Sequence, residues 1–368
     1  MSDLHLGLVL NGFSMLEDQK YILKQAIELC LKERVDILLL CGDIYDRSNP
    51  SIQAVSLFDS FLQELFEKKI QVMIIPGNHD ASERIAYASS LLSSSGVYLC
   101  PNFQGKIYSY RVEDMYGPLF FHFLPFIRPA DLRPFFEEEK IGSYDDAIDL
   151  LIGNLPLDKK ERNILLCHQF VQGSIQSDSE RVHIGGTEGV DRIHFKDFDY
   201  VAMGHIHRPQ WMVKDQMRYC GSPLKYSFSE AGHSKSLTIV DMKEKGNMDI
   251  FLVPLHPRRD VRILEDYYED LMDRNLASED YLKIILKDEE EIHQVMNKLR
   301  KIYPNLMQIE YNNRRTKENR RLNIEMNLVK KDPFDLVQAF YKEQNNQDLS
   351  DQQKQYIKKC IDKIWGQA

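Results

Sequence analysis

The sequence predicts an α/β fold: a layered first domain, a smaller α+β unit after it, and helices at the C-terminal end. Three observations carry that expectation. Four short apolar runs each end abruptly in polar, chemically capable residues: "VDILLLCGDIYDR" (35–47), "KIQVMIIPGNHD" (69–80), "RNILLCHQF" (162–170) and "DYVAMGHIH" (199–207). Stretches with apolar residues at helical spacing separate the early runs. The character of the chain changes near "FLVPLHPRRDVRILE" (251–265).

The runs are rich in Val, Ile and Leu and do not alternate, which predicts strands buried on both faces. "SMLEDQKYILKQAIELCLKE" predicts a helix, as does "SIQAVSLFDSFLQELFEKK" after Pro50. In layered α/β sheets functional groups collect beyond the carboxyl ends of the strands. Each polar cluster falls there. "KSLTIVDMKEKGNMDIFLVPL" (235–255) predicts a hairpin closing the first domain. "EDYLKIILKD", a helical "EEEIHQVMNKLRKIYP" and "LMQIEYNN" then predict a small β-α-β unit. The division expected is 1–255, 256–328 and 329–368.

The basic "NNRRTKENRR" (312–321) is expected to be a solvated loop. Two helix starts follow. Asp332-Pro333 offers an N-cap with proline at the first helical position, and Ser350 with Gln353 fits a capping box. In the last helix Ile357, Ile361 and Ile364 share a face flanked by Tyr356, Cys360 and Trp365. That stripe suits either core packing or a docked partner.

The net charge of −9 argues against a passive nucleic-acid coat, though bound divalent ions would let an acidic chain meet phosphate. Six scattered cysteines form no CxxC pair, which predicts free thiols and a cytoplasmic location. No apolar run is long enough for a bilayer, and no signal peptide is visible, so no membrane role is expected.

The chemistry lies in a set of motifs. In order stand Asp3 and His5, Asp43 and Asp46 in "GDIYD", Asn78, His79 and Asp80 in "GNHD", His168 in "CHQF", and His205 with His207 in "GHIH". Five of the eleven histidines belong to it, too many to gather at strand ends by coincidence. Two divalent ions a few ångströms apart can clamp the attacking and leaving oxygens of a phosphate ester, and a carboxylate must bridge them. Mixed imidazole, carboxylate and amide oxygen suits Mn²⁺, Fe²⁺ or Zn²⁺ better than Mg²⁺ or Ca²⁺. Glycines before Asp43, Asn78 and His205 allow sharp turns and close backbone approach.

This pattern resembles the calcineurin-like metallophosphoesterases. The resemblance implies a layered β-sandwich flanked by helices. It also implies roles: Asp3, His5 and His207 on a first metal, Asn78, His168 and His205 on a second, and Asp43 bridging. His79 would protonate the leaving oxygen, with Asp80 orienting its ring, and Asp46 would support the ligands from outside. "CHQFVQGSIQSDSERVHIGG", "FDYVAMGHIHRPQ" and "CGSPLKYSFSE" are similar, more narrowly, to the SbcD family, as are "FLPFIRPADLR" and "VPLHPRRDVRILE". That family consists of Mn²⁺-dependent 3′-to-5′ double-strand exonucleases and single-strand endonucleases. They act on DNA ends and hairpins in repair, replication and recombination, with the coiled-coil ATPase SbcC. The resemblance implies an α+β capping domain after the phosphoesterase domain, and terminal helices that dock SbcC. It also implies a homodimer within a heterotetramer, formed through helices over "SIQAVSLFDSFLQELFE" and "ERIAYASSLLSSSG"; Phe58, Phe61, Leu62 and Leu65 form an apolar face that packing against the chain's own sheet explains equally well.

Two other functions share these features: a phosphatase or cyclic-nucleotide phosphodiesterase, and a catalytically weak subunit that binds DNA ends. The second arises because family members begin with a short apolar strand before Asp-x-His, whereas Met1 here stands two residues from Asp3. The expectation is a start site upstream of Met1, or open strand edges and a weak first metal.

Overall fold

The structure, a computed structural model, describes residues 1–180, 189–313 and 348–365, together with residues 334, 337, 338 and 341. After the N-terminal segment come a small hairpin of β1 (Val9–Leu10) and β2 (Phe13–Ser14), then helix α1 (Leu16–Lys32). β3 (Ile37–Cys41), β4 (Gln71–Ile75) and β5 (Val97–Leu99) form a parallel three-stranded sheet, with α2 (Ile52–Glu67) between the first two. Ser51 caps α2 by accepting from Ala54 N at 3.2 Å.

The second sheet contains β6 (Tyr108–Asp114), β7 (Gly117–Leu124), β8 (Arg162–His168), β9 (Tyr200–Gly204), β10 (Gln210–Val213) and β11 (Met217–Tyr219). Its order is β10-β11-β9-β8-β7-β6. The two sheets stack. Cys41, Met73 and Ile75 from the first pack against Phe121, Phe123, Ile164, Leu166 and Tyr200 from the second. The alternate residues face outward: Leu38, Leu40, Val72 and Ile74 against α1 and α2, Leu165, Cys167, Val201 and Met203 against the helix Tyr144–Gly153. Burial on both faces explains why these strands read as unbroken apolar runs.

β12 (Ser236–Met242) and β13 (Met248–Pro254) form the expected hairpin. Beyond it β14 (Val261–Asp266), β15 (Tyr281–Leu286) and β16 (Leu306–Tyr311) make a parallel sheet with its own core. β14 went unread because "VRILED" is short, carries three charges and lies inside what resembled a linker. The helix expected over 289–304 is only Val295–Leu299. Asp18 of α1, wholly buried, ties the two parts together, accepting from Arg259 Nε at 3.0 Å and Tyr281 OH at 2.8 Å.

One expectation changes and one alternative is decided. "ERIAYASSLLSSSG" is not one helix but the one-turn pieces Ser82–Ile85 and Ser89–Leu92, broken where Ala88 takes φ 59°. On α2, Phe58, Phe61 and Leu65 are buried, and Leu62 packs on the same core, so that face closes the fold itself. Among the described residues β3 ends its own sheet and β12 pairs only with β13, and the N-terminal segment meets β3 through Met1. Met1 N donates to Leu39 O at 2.8 Å and Cys41 N to Met1 O at 2.9 Å, so Met1 pairs with β3. Alongside lies a cavity of about 700 Å³ lined by Met1, Leu39, Tyr200, Val240 and Phe251, between β3 and β12.

The last helix, Asp351–Trp365, starts with the expected capping box: Ser350 N donates to Gln353 Oε1 at 2.9 Å and Gln353 N to Ser350 Oγ at 3.4 Å. The Asp332-Pro333 start, most of 312–321 and the side chains of Cys360, Ile364 and Trp365 lie outside the described residues. Among the described residues, no helix is long and apolar enough to cross a membrane, and five cysteines are buried and free.

Candidate metal centre

The ligand-bearing residues sit where strands end. His168 closes β8, Asp43 follows β3 by two residues, Asn78 follows β4 by three, and His205 follows β9 directly. Asp3 and His5 run beside the end of β3, with Asp3 N donating to Gly42 O and His5 N to Asp43 O, both at 3.0 Å. Gln19, buried on α1, holds this segment: its Nε2 donates to His5 O at 2.7 Å, and its Oε1 accepts from Gly7 N at 3.0 Å. Tyr226 OH donates to Leu4 O at 2.5 Å from the opposite side.

These turns are strained. Asp3, His5, Asp43 and His205 take φ of 54°, 44°, 52° and 96°, a region few L-residues enter and one that gathers at functional sites. Glycine is required beside them. A Cβ on Gly77 would run into the Asp43 carboxylate, and one on Gly42 into the His168 ring.

All seven expected ligands converge. Nε2 of His5 and Nε2 of His207 face each other at 3.1 Å, and Asp3 completes a cluster whose ligand atoms lie within 4.8 Å. On the other side Asn78 Oδ1 is 3.1 Å from His168 Nε2 and 3.0 Å from His205 Nδ1. Asp43 Oδ2 lies between the groups, 3.6 Å from His5 Nε2 and 3.4 Å from His168 Nε2.

The set demands positive charge. Burial pushes the Asp3 carboxyl up and His5 well below its ordinary value, and it takes His205 down to about 3. Burial opposes ionisation of Asp43 too, but His168 and His5 outweigh it and hold that carboxyl far below the usual range. His168, against its own burial, is raised to about 9 by Asp43. Nδ1 of His168 donates to Cys41 O at 2.7 Å, so its Nε2 is the nitrogen turned to the site. Nδ1 of His5 is buried without a hydrogen-bond partner. Buried acceptors packed against one another in this way fit two divalent cations.

His79 stands over His5, ring centroids 4.8 Å apart and edge-to-face, and outside the ligand pairs. The partner that orients its ring differs from expectation. Nδ1 of His79 donates to the backbone carbonyl of Asp46 at 2.8 Å. Asp80 instead accepts from Gly77 N, Tyr45 N and Ile44 N at 2.9, 3.0 and 3.1 Å. A carboxylate enclosed by backbone amides locks the two ligand loops to each other and has no oxygen turned to the ring. Asp46 also holds Oδ1 3.9 Å from His5 Nδ1.

A calcineurin-like phosphoesterase family model matches residues 1–209, and the type 5 capsule protein repressor C-terminal domain model matches 257–345. The SbcD subunit of the nuclease SbcCD from Staphylococcus epidermidis is 33% identical over 370 residues, covering 98% of this chain and 96% of that protein. The chain belongs to the SbcD family of calcineurin-like phosphoesterases. As a member of the SbcD family it has the calcineurin-like fold, mixed α/β with a large central sheet flanked by helices, and it is a metal-dependent phosphoesterase of a family that uses a dinuclear site, with side-chain clusters that could hold the ions. Two solved structures show a fainter likeness. A dimetal phosphatase from Danio rerio has a TM-score of 0.43 at 13% identity, covering 69% of this chain and 94% of its own. The protein TT1561 of Thermus thermophilus has a TM-score of 0.36 at 13% identity, covering 64% and 94%.

Around His207 stand residues the sequence reading did not single out: Ser179, Glu180, Glu230 and Lys235. The signal was present, since Ser179 and Glu230 fall in the SbcD-like stretches "CHQFVQGSIQSDSE" and "CGSPLKYSFSE". Nothing in their spacing, 51 residues apart, joins them.

Proposed function

We propose that the chain is the nuclease subunit of an SbcCD-type complex. It hydrolyses phosphodiester bonds at DNA ends and hairpins, as a Mn²⁺-dependent 3′-to-5′ double-strand exonuclease and single-strand endonuclease, together with an SbcC ATPase in repair, replication and recombination. The observation that carries this reading is the position of Asp43 Oδ2, 3.6 Å from His5 Nε2 and 3.4 Å from His168 Nε2. One carboxylate oxygen between two sets of donors is what a dinuclear phosphoesterase needs.

Asp3, His5 and His207 would hold the first ion, Asn78, His168 and His205 the second, with Asp43 shared. When bound, the ions polarise the phosphate and ready a water for attack at neutral pH. The protein supplies the rest. His79, held through Nδ1 by the Asp46 carbonyl, keeps Nε2 for the proton that the leaving oxygen takes. Imidazole-rich ligands favour Mn²⁺ over Mg²⁺. With a net charge of −9, the chain depends on those cations to bring an anionic substrate near.

The division 1–255, 256–328 and 329–368 is supported by the end of β13 at Pro254 and the start of β14 at Val261. A dimer within a heterotetramer is supported by the exposure of Ile52, Val55, Phe66, Tyr87 and Leu91. Docking of SbcC on the last helix is supported by exposed Tyr356.

The test is cleavage of a DNA hairpin, a blunt duplex and a phosphopeptide with Mn²⁺, with and without the ATPase, using Asp43→Ala as blank. Cleavage of both DNAs supports the reading. Activity confined to the phosphopeptide overturns it.

A further inference from the structure

We propose that Ser179 and Glu230 are positioning residues: through them the proton of His207 is fixed on Nδ1, so that Nε2 is offered to a divalent cation. The inference rests on the two-metal reading above and adds residues outside the ligand set.

The argument starts at Glu230, which is wholly buried. A carboxylate in that position needs a countercharge, and Lys235 supplies it, Nζ to Oε2 at 2.6 Å. Around the same carboxylate stand further donors: Oε1 accepts from Tyr226 N and from Ser227 Oγ, both at 3.2 Å. As an anion Glu230 only accepts hydrogen bonds. Ser179 Oγ lies 2.7 Å from Oε1, so its single hydroxyl proton is committed there. Only a lone pair of the same oxygen remains for Nδ1 of His207, 2.8 Å away. Nδ1 must therefore carry a proton. In the neutral ring Nε2 is then the acceptor. It is Nε2 that meets His5.

The backbone of His207 is held at both ends by the same group of residues. Its N–H donates to Glu180 Oε1 at 2.6 Å, and its carbonyl accepts from Lys235 Nζ at 2.8 Å. Gly221 lets the chain pass close, since a Cβ there would stand 2.6 Å from the same carbonyl oxygen. His168 uses a backbone carbonyl to fix its tautomer, whereas His207 uses a hydroxyl and a buried ion pair. Outer partners of a ligand typically change metal affinity by about 10–100-fold when removed.

A purely structural ion pair would alter stability and leave the imidazole proton where it is. The experiment reads the proton directly. Nitrogen NMR of the metal-free protein reports the His207 tautomer, and Mn²⁺ calorimetry reports the affinity of each site, in wild type, Ser179→Ala, Ser179→Thr and Glu230→Gln. Wild type should show the Nδ1–H form. Ser179→Ala should show a mixture and lose about tenfold in affinity at one site only. Glu230→Gln should move in the same direction, and Ser179→Thr, which keeps the hydroxyl, should restore both readings. Two ions in wild type with an unchanged tautomer and affinity in Ser179→Ala would overturn the positioning role alone, as would a Ser179→Thr protein as impaired as Ser179→Ala. Wild type binding fewer than two ions would overturn the two-metal reading as well.

Discussion

Nε2 of His207 faces Nε2 of His5 at 3.1 Å, although 202 positions separate the two residues in the chain. Both nitrogens are buried, and at that distance they share either a proton or a cation held by both lone pairs. His5→Ala is therefore expected to bind one Mn²⁺ fewer than wild type. The rise in melting temperature that Mn²⁺ gives should shrink accordingly, because ligand binding stabilises by mass action. Calorimetry and thermal melting with and without chelator check this. An unchanged stoichiometry would remove His5 from the site.

Asp80 and His79 should separate in their effects. Asp80 accepts three backbone N–H groups from two loops, so Asp80→Ala should cost about 3 kcal/mol of stability, measured by urea unfolding. His79→Ala should leave melting temperature, Mn²⁺ stoichiometry and DNA binding intact while abolishing cleavage. Loss of metal from the His79 variant would contradict its assignment as the acid.

The joint between the two parts of the chain depends on Asp18. It is wholly buried and meets Arg259 and Tyr281, so Asp18→Ala takes the charge partner from the partly exposed Arg259 and leaves the buried Tyr281 hydroxyl without its acceptor. A loss of about 1–3 kcal/mol is expected. Gln19, next to it, holds His5 O at 2.7 Å, so the same variant should also weaken Mn²⁺ binding. Wild-type stability in Asp18→Ala would show that the ion pair is not what docks the second unit.

His122 carries a pH dependence remote from the metals. Its Nε2–H donates to Asn163 Oδ1 at 2.9 Å, and Nδ1 meets Ser109 Oγ at 2.8 Å, so the neutral ring is fully satisfied. Burial holds its pKa below the ordinary histidine value. As pH falls below about 6.5 the unfolded chain takes a proton that the folded chain refuses, and stability drops; above that pH the difference disappears. Urea unfolding at pH 5.5 and 8 should show a smaller difference in His122→Gln than in wild type. Equal differences would mean that His122 contributes nothing.

The parts legible in the sequence were those with a period or a motif. Strands buried on both faces appear as apolar runs, and Asp43, Asn78, His168 and His205 lie just where those runs stop. β14 was missed because both of its faces mix apolar and charged residues, so no apolar run marks it. The role of Asp80 was missed because its partners are backbone amides, which carry no sequence signature. Ser179 follows β8 and Glu230 ends a 3-10 turn, Phe228–Glu230, after β11, so only the folded chain brings them together. The N-terminal segment takes its support from Gln19 and Tyr226, which no local pattern connects to it.

The central claim is that Asp43 bridges two ions. Two Mn²⁺ ions sharing a carboxylate are magnetically coupled, and electron paramagnetic resonance distinguishes them from isolated ions. Wild type loaded with Mn²⁺ should show a coupled pair at two ions per chain, and Asp43→Ala should show neither the coupling nor DNA cleavage. A coupled pair that persists in Asp43→Ala, or isolated ions only in wild type, would contradict the account.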